Sequence, residues 1–326
     1  MATPNTIPSQ MNEPKRSEIT SLNLEKRKSD SLTSTAIRRL KKDYLTLLAF
    51  AVLITLALMA LLAPVFENAL GVSYTEPLAD RKLLSIATNY LNPTTEKTTF
   101  YVAGTDNLGR DVFTRLMYGG RVSLGIGVSA ALFSTLIGVT IGLLAGFYQG
   151  TRVGFIDDFI MWFVTTLNSI PTLMLLILIS AVLTPSIATL IVVLTIVSWS
   201  GTMRLIRGET LGQRENEYVI SARAMGASPI RIMFIHILPN TLSILVTALA
   251  IEIGSLILTE SALSFLGLGV RPPEPSWGNM LTGAQSYFRQ AAHLSILPGL
   301  LIVVTVLSLY LIGDGLRDAL DPRSVK

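Results

Sequence analysis

Six stretches of this chain are apolar over roughly the 20 residues that a helix needs to cross about 30 Å of hydrocarbon. Lipid offers no partner to a backbone N–H or C=O, so each stretch must close its own hydrogen bonds as a helix. They run from Tyr44 to Phe66, Val122 to Phe147, Phe159 to Leu183, Ile187 to Met203, Leu242 to Leu266 and His293 to Gly313. The fold class read from them is all-α, a polytopic membrane protein with six transmembrane helices. Only Thr184, Pro185 and Ser186 separate the third from the fourth, which makes these two antiparallel neighbours.

Composition agrees, because 50% of the 326 residues are apolar, 15% are charged and the mean hydropathy is +0.54. The absence of cysteine excludes disulfides, thiolate metal sites and a cysteine nucleophile. His236 and His293 stand without companion metal ligands. The basic residues form no aromatic-studded face, so nucleic acid is not an expected partner.

They report orientation instead. Lys15, Arg16, Lys26, Arg27, Lys28, Arg38, Arg39, Lys41 and Lys42 precede the first span and put the N-terminus inside. Arg204, Arg207, Arg214, Arg223 and Arg231 then fall on an inner loop, and Arg317, Arg323 and Lys326 on an inner tail. The chain divides into a disordered tail at 1–43, a retained first helix at 44–66, an outer segment at 67–121, a core at 122–313 containing the inner loop 204–241, and a tail at 314–326.

Within the spans, Gly138, Gly142 and Gly146 recur every fourth residue, with Gly125 and Ser129 on the same helix, a stripe for close packing or for sliding. Pro171, beside Asn168 and Ser169, and Pro298, beside Gly299, are expected to kink their helices. Kinks serve packing, or free carbonyls to line a path. Glu252 and Glu260 lie eight residues apart, about 80° around the helix, and either hydrogen-bond to a neighbouring helix or line a path. There is no G-x-x-x-x-G-K-[ST] loop, no catalytic constellation and no array of midplane carboxylates for proton coupling. If the chain serves ATP-driven transport, another chain must bind the ATP.

The loop 204–241 has more design than a connector needs. It reads as a helix from Glu215 to Met225 ended by Gly226, then Ser228 as N-cap and Pro229 in the first turn of a second helix running toward Pro239. Tyr218, Ala222 and Met225 share a face flanked by Glu215, Glu217 and Arg223, a small apolar stripe that wants a partner. Ser221-Ala222-Arg223-Ala224-Met225-Gly226, followed by Pro239, resembles the EAA loop of ABC-importer permeases. Ile220 and His236 depart from the general motif, and His236-Ile237-Leu238-Pro239-Asn240 is similar to the peptide-permease branch. Three more stretches resemble that branch: Gly104 to Asp111, Glu260 to Gly269 with Pro275-Ser276-Trp277-Gly278, and Gly313 to Pro322.

The resemblance is to C-type permease subunits of oligopeptide and dipeptide importers, and it covers nearly all of residues 35–326. It implies a type I importer permease fold in the bacterial inner membrane, with a coupling helix carrying Glu217, Tyr218, Ser221, Ala222, Arg223, Ala224, Met225 and Gly226, and with Pro239 beyond it. It implies a homologous B-type permease, two ATPases that hold the ATP and Mg, a periplasmic peptide-binding protein and a peptide cargo, with no cofactor and no catalysis in this chain. Glu252, Glu260, Asn168 and Pro171 are the expected path or gate. Asp106, Arg110, Asp111 and Trp277 are the expected contacts to the binding protein, with a structural cap for Asp106 and an interfacial anchor for Trp277 as the other readings. Nickel complexes, glutathione or antimicrobial peptides are alternative cargoes. A stand-alone secondary carrier and a membrane-bound enzyme are the rival classes.

Overall fold

The structure, a computed structural model, describes residues 37–91, 98–184 and 186–320. The tail up to residue 36, Pro185 of the outer turn and residues 321–326 lie outside them, so the disordered-tail expectation falls largely outside the described residues.

Five unbroken helices are long and apolar enough to cross a membrane: α1 (Tyr44–Leu61), α3 (Val112–Tyr148), α6 (Ile187–Gln213), α8 (Pro229–Phe265) and α10 (His293–Leu320). The sixth crossing is a broken pair, α4 (Phe155–Asn168) and α5 (Thr172–Val182), bent by 81° at Pro171. The expected kink is thus a break: proline has no N–H for the helical ladder and disfavours the α conformation in Ile170 before it. Pro298 lies inside α10 at its sixth residue, and the helix runs through it without a break.

Several boundaries move outward. α3 begins at Val112 rather than Val122, α6 continues to Gln213 rather than Met203, and α10 continues to Leu320 rather than Gly313. Hydropathy marks only the lipid-facing length of a helix, and these extensions carry polar residues on solvent-side turns. The outer segment is also more structured than a loop. It holds α2 (Ala63–Leu70), a 3-10 turn at Ala79–Arg81 and an antiparallel hairpin of β1 (Thr88–Leu91) and β2 (Thr98–Tyr101), a small β element in an otherwise helical protein.

α3 packs along α6 more extensively than any other pair of elements. Gly138, Gly142 and Gly146 make this possible. A Cβ at these positions would sit 2.8 Å from the Trp199 carbonyl oxygen, 2.7 Å from that of Met203 and 2.7 Å from that of Arg207, so the two backbones touch. The stripe is a packing surface. Gly125, by contrast, faces open space. α8 packs on α3 and α10, and α1 lies against α10, where Gly315 makes room for the buried Thr46.

Candidate functional site

Three places gather the residues singled out by sequence. The first is the inner loop. α7 (Glu217–Ala224) buries Val219 and Ala222, and Val219 packs with Leu143, Phe147, Ile206, Ile232, Met233 and Ile237. Gly226 takes φ +82°, and the N–H groups of Gly226 and Ala227 donate to the carbonyls of Arg223 and Ala222 at 3.0 Å each. These two bonds form the Schellman end of the helix. Ser228 then accepts the Arg231 N–H at 3.4 Å and α8 starts with Pro229.

Because Ala222 is buried, the expected face of Tyr218, Ala222 and Met225 is divided: Ala222 turns to the chain's own core and Tyr218 is half-buried, its hydroxyl donating to Gln213 at 2.8 Å. The outward apolar side chains are instead Ile220 at 53%, Met225 at 81% and Ile230 at 67% exposure. Glu217, Ser221, Arg223 and Ala224 are exposed around them.

Two ties hold this tip that the sequence reading missed. Arg214 donates to the carbonyls of Gly146 at 3.1 Å and Gln149 at 2.7 Å, which caps the C-terminus of α3 with a cation. The second tie is at Pro239. The first turns of α8 widen into a π-helix over Ile232–Ile237, and Pro239 follows inside the same continuous helix rather than ending a separate one. The proline donates nothing to the ladder, and Asn240 Nδ2 donates to the His236 carbonyl at 2.7 Å. A third missed contact is the bidentate Arg207–Asp157 pair, at 2.6 and 2.8 Å, which joins α6 to the first turn of α4.

The second place is a trough along α6, α8 and α10, lined by Asn168, Thr172, Gly201, Arg204, Glu252 and Tyr310 among others, with a volume near 510 Å³. Glu252 is half-buried at its floor and accepts from Ser134 Oγ and Thr202 Oγ1, each at 3.1 Å. Asn168 Oδ1 accepts from Ser200 Oγ at 3.5 Å. Pro171 is exposed at the break before α5 and does not line the trough. Glu260 also faces α3 but does not line the trough. It is completely buried and accepts from Ser264 at 2.7 Å, Ser123 at 2.9 Å and Ser261 at 3.4 Å, so its expected place on the path is corrected to a helix-joining role.

The third place is the outer layer. Trp277, 1% exposed, begins the short helix α9 (Trp277–Leu281) and inserts its indole over Gly119 and Gly120, donating Nε1–H to the Leu116 carbonyl at 2.9 Å. Its backbone N–H donates to Ser123 Oγ at 3.2 Å, which in turn donates to Glu260. A side chain so enclosed is neither an interfacial anchor nor a docking contact. Asp111 is buried as the N-cap of α3, accepting from the Thr114 N–H at 2.7 Å and its hydroxyl at 2.8 Å; burial pushes its carboxyl above the usual range and these two bonds oppose the rise. Asp106 caps no helix. It pairs with Arg110 at 2.7 Å, with Arg115 at 3.6 Å, and accepts the N–H groups of Leu108 and Arg110. Asp106 and Asp111 are therefore internal fasteners, and Asn107, Leu108 and Arg271 to Glu274 are among the residues this layer exposes.

The family described as the binding-protein-dependent transport system inner membrane component matches residues 138–326, more than half of the chain. The chain belongs to this family. The N-terminal transmembrane domain of oligopeptide transport permease C matches residues 31–77 of the permease. Over 317 residues the permease is 33% identical to the oligopeptide transport system permease protein OppC of Bacillus subtilis, covering 97% of this chain and 98% of that one. It is 37% identical to the dipeptide permease DppC of the same organism, covering 91% and 88%. It is 44% identical to the glutathione permease GsiD of Pectobacterium atrosepticum, covering 68% and 72%. Among solved structures, an inward-facing MetNI methionine ABC transporter chain superposes with a TM-score of 0.54 at 22% identity, over 64% of the permease and 96% of that chain. The fold is that of an ABC-importer permease, and the protein is a multi-pass inner-membrane subunit.

Proposed function

We propose that this permease pairs with a homologous B-type subunit to enclose a path for oligopeptides or dipeptides from periplasm to cytoplasm, driven by two ATPases that supply the ATP and Mg site. Both termini are cytoplasmic. The observation that carries the reading is the inner tip, where Ile220, Met225 and Ile230 stand exposed on a scaffold fixed to α3, α6 and α8. Solvated apolar side chains on a well-fastened support are what a partner's groove requires. α8 continues unbroken from this tip through the membrane, so displacement of the tip moves Glu252 and the trough with it. Closure of the ATPases on nucleotide then shifts the population from inward- to outward-facing arrangements. A periplasmic peptide-binding protein meets the outer layer at Asn107, Leu108 and Arg271 to Glu274, in place of the expected Asp106, Asp111 and Trp277, which are buried. The cargo class rests on the relatives, whose names give dipeptide, oligopeptide and glutathione transport; glutathione is itself a peptide.

The chain contains no cysteine, so Met225→Cys introduces a unique thiol. In membranes holding the whole importer, a short bifunctional reagent should link that thiol to an ATPase, more strongly with ATP than without. Peptide uptake into proteoliposomes should require ATP and all partner chains. Transport by the permease alone, without ATPases, would support a secondary carrier and end this reading.

A further inference from the structure

The trough continues inward. A second cavity, near 420 Å³, shares Leu205, Ala248 and Ile251 with the first and reaches Arg317. The formal charges that line the two cavities are Glu252 and Arg204 in the first and Arg317 in the second. Both arginines are exposed, whereas the Glu252 carboxyl is fixed by Ser134 and Thr202. The remaining polar lining consists of neutral hydroxyl and amide groups such as Asn168, Thr172 and Thr259. Ionisable groups at membrane depth are costly and are retained where they meet charge or water. Gly254 packs against Leu309 and Gly313 against Ile251, so Glu252 stands level with this part of α10, and Arg317 lies four to eight residues further on, about 10 Å along the axis. An extended tripeptide spans about the same length between its ammonium and carboxylate groups.

Resting on the peptide-import reading above, the geometry points to Glu252 as the group that takes the α-ammonium of the cargo, with Arg204 and then Arg317 taking its α-carboxylate as it moves inward. The trough thereby selects unblocked peptides and orients them carboxyl end first. The neutral hydroxyls serve the peptide groups between, which differ little from one cargo to the next.

The test uses the complete importer in proteoliposomes, with saturating binding protein and three probes: Ala-Ala-Ala, its N-acetyl form and its C-terminal amide. The preference for free over acetylated peptide should fall about tenfold in Glu252→Gln and return in Glu252→Asp, as expected for loss of one charge-assisted hydrogen bond. Arg204→Gln should leave that preference intact and erode the preference for free over amidated peptide. The glutamine variant can keep both bonds to Ser134 and Thr202, and co-purification with the partner chains checks assembly. An equal fall for all three probes, or an unchanged preference, overturns the assignment while leaving peptide import standing. Failure of the unmodified importer to move any of the three overturns peptide import itself and this assignment with it.

Discussion

The inner tip and the outer layer are built from equally distinctive sequence, yet they point their side chains in opposite directions. At the tip the apolar residues Ile220, Met225 and Ile230 face out while small residues and glycine shape the turn. In the outer layer the most conspicuous residues, Trp277, Asp111 and Glu260, all face in, and modest ones such as Asn107 and Leu108 are left at the surface. A segment that must bind a moving partner needs exposed contacts on a fixed support. A segment that must hold three helices together at one end spends its large and charged groups internally. A distinctive motif therefore says that a residue is constrained, and only its burial says by what.

Ranking variants by their effect on the permease's own stability puts that contrast at risk. The largest effect belongs to Trp277→Ala, which empties a fully enclosed site and removes the bond to Leu116, at a cost of about 3–5 kcal/mol. Thermal unfolding of the purified permease should show it. A variant that unfolds like the parent but loses only binding-protein association would make Trp277 a docking residue after all. Next comes Gly142→Val, whose side chain would meet the Met203 carbonyl and Ile206. Overpacking there should cost about 1–3 kcal/mol and separate α3 from α6. Unchanged stability together with lost transport would instead favour the sliding surface.

These two sites also show how much was legible before the structure. The number of crossings, the Gly138 to Gly146 stripe, the αL glycine at 226 and the N-cap Ser228 follow from local rules, because helical period, backbone sterics and missing donors act within a few residues. The outer hairpin was not legible, since its short strands lack an alternating apolar run. Nor was the direction of Ala222 or Trp277. Which face of a short helix is buried depends on what Phe147, Ile206 and Ile232 bring from elsewhere in the chain, and that is tertiary information. Glu260 is the instructive case: its helix, and that it faces the same side as Glu252, were readable, but of the three serines that bond it, Ser123 comes from α3, far away in sequence.

A smaller loss is expected from Asn240→Ala. It removes the side-chain donor to the His236 carbonyl, worth about 1 kcal/mol. Hydrogen exchange should rise over Ile232–Ile237, the π-helical turn, and stay unchanged in the outer layer. Protection lost equally at both ends would mean that the two regions are one cooperative unit.

The smallest effect on the permease itself falls on the residue with the greatest consequence for the assembly. Met225 is 81% exposed and contacts little of its own chain, so Met225→Glu should shift stability by no more than about 0.5 kcal/mol. Placed in a partner's apolar groove, the same carboxylate would be desolvated without a counter-charge, a penalty of several kcal/mol that binding must overcome. The variant should therefore insert, fold and pair with the second permease while ATPase co-purification and peptide uptake are lost. Ala222→Glu is its internal counterpart, because the added charge falls on the buried side of the same helix. It should lose ATPases only in proportion to lost folded permease. Should the two variants behave alike in the unfolding scan, the division of this helix into an inward and an outward face is wrong, and with it the contrast between a tip built to be touched and an outer layer built to hold.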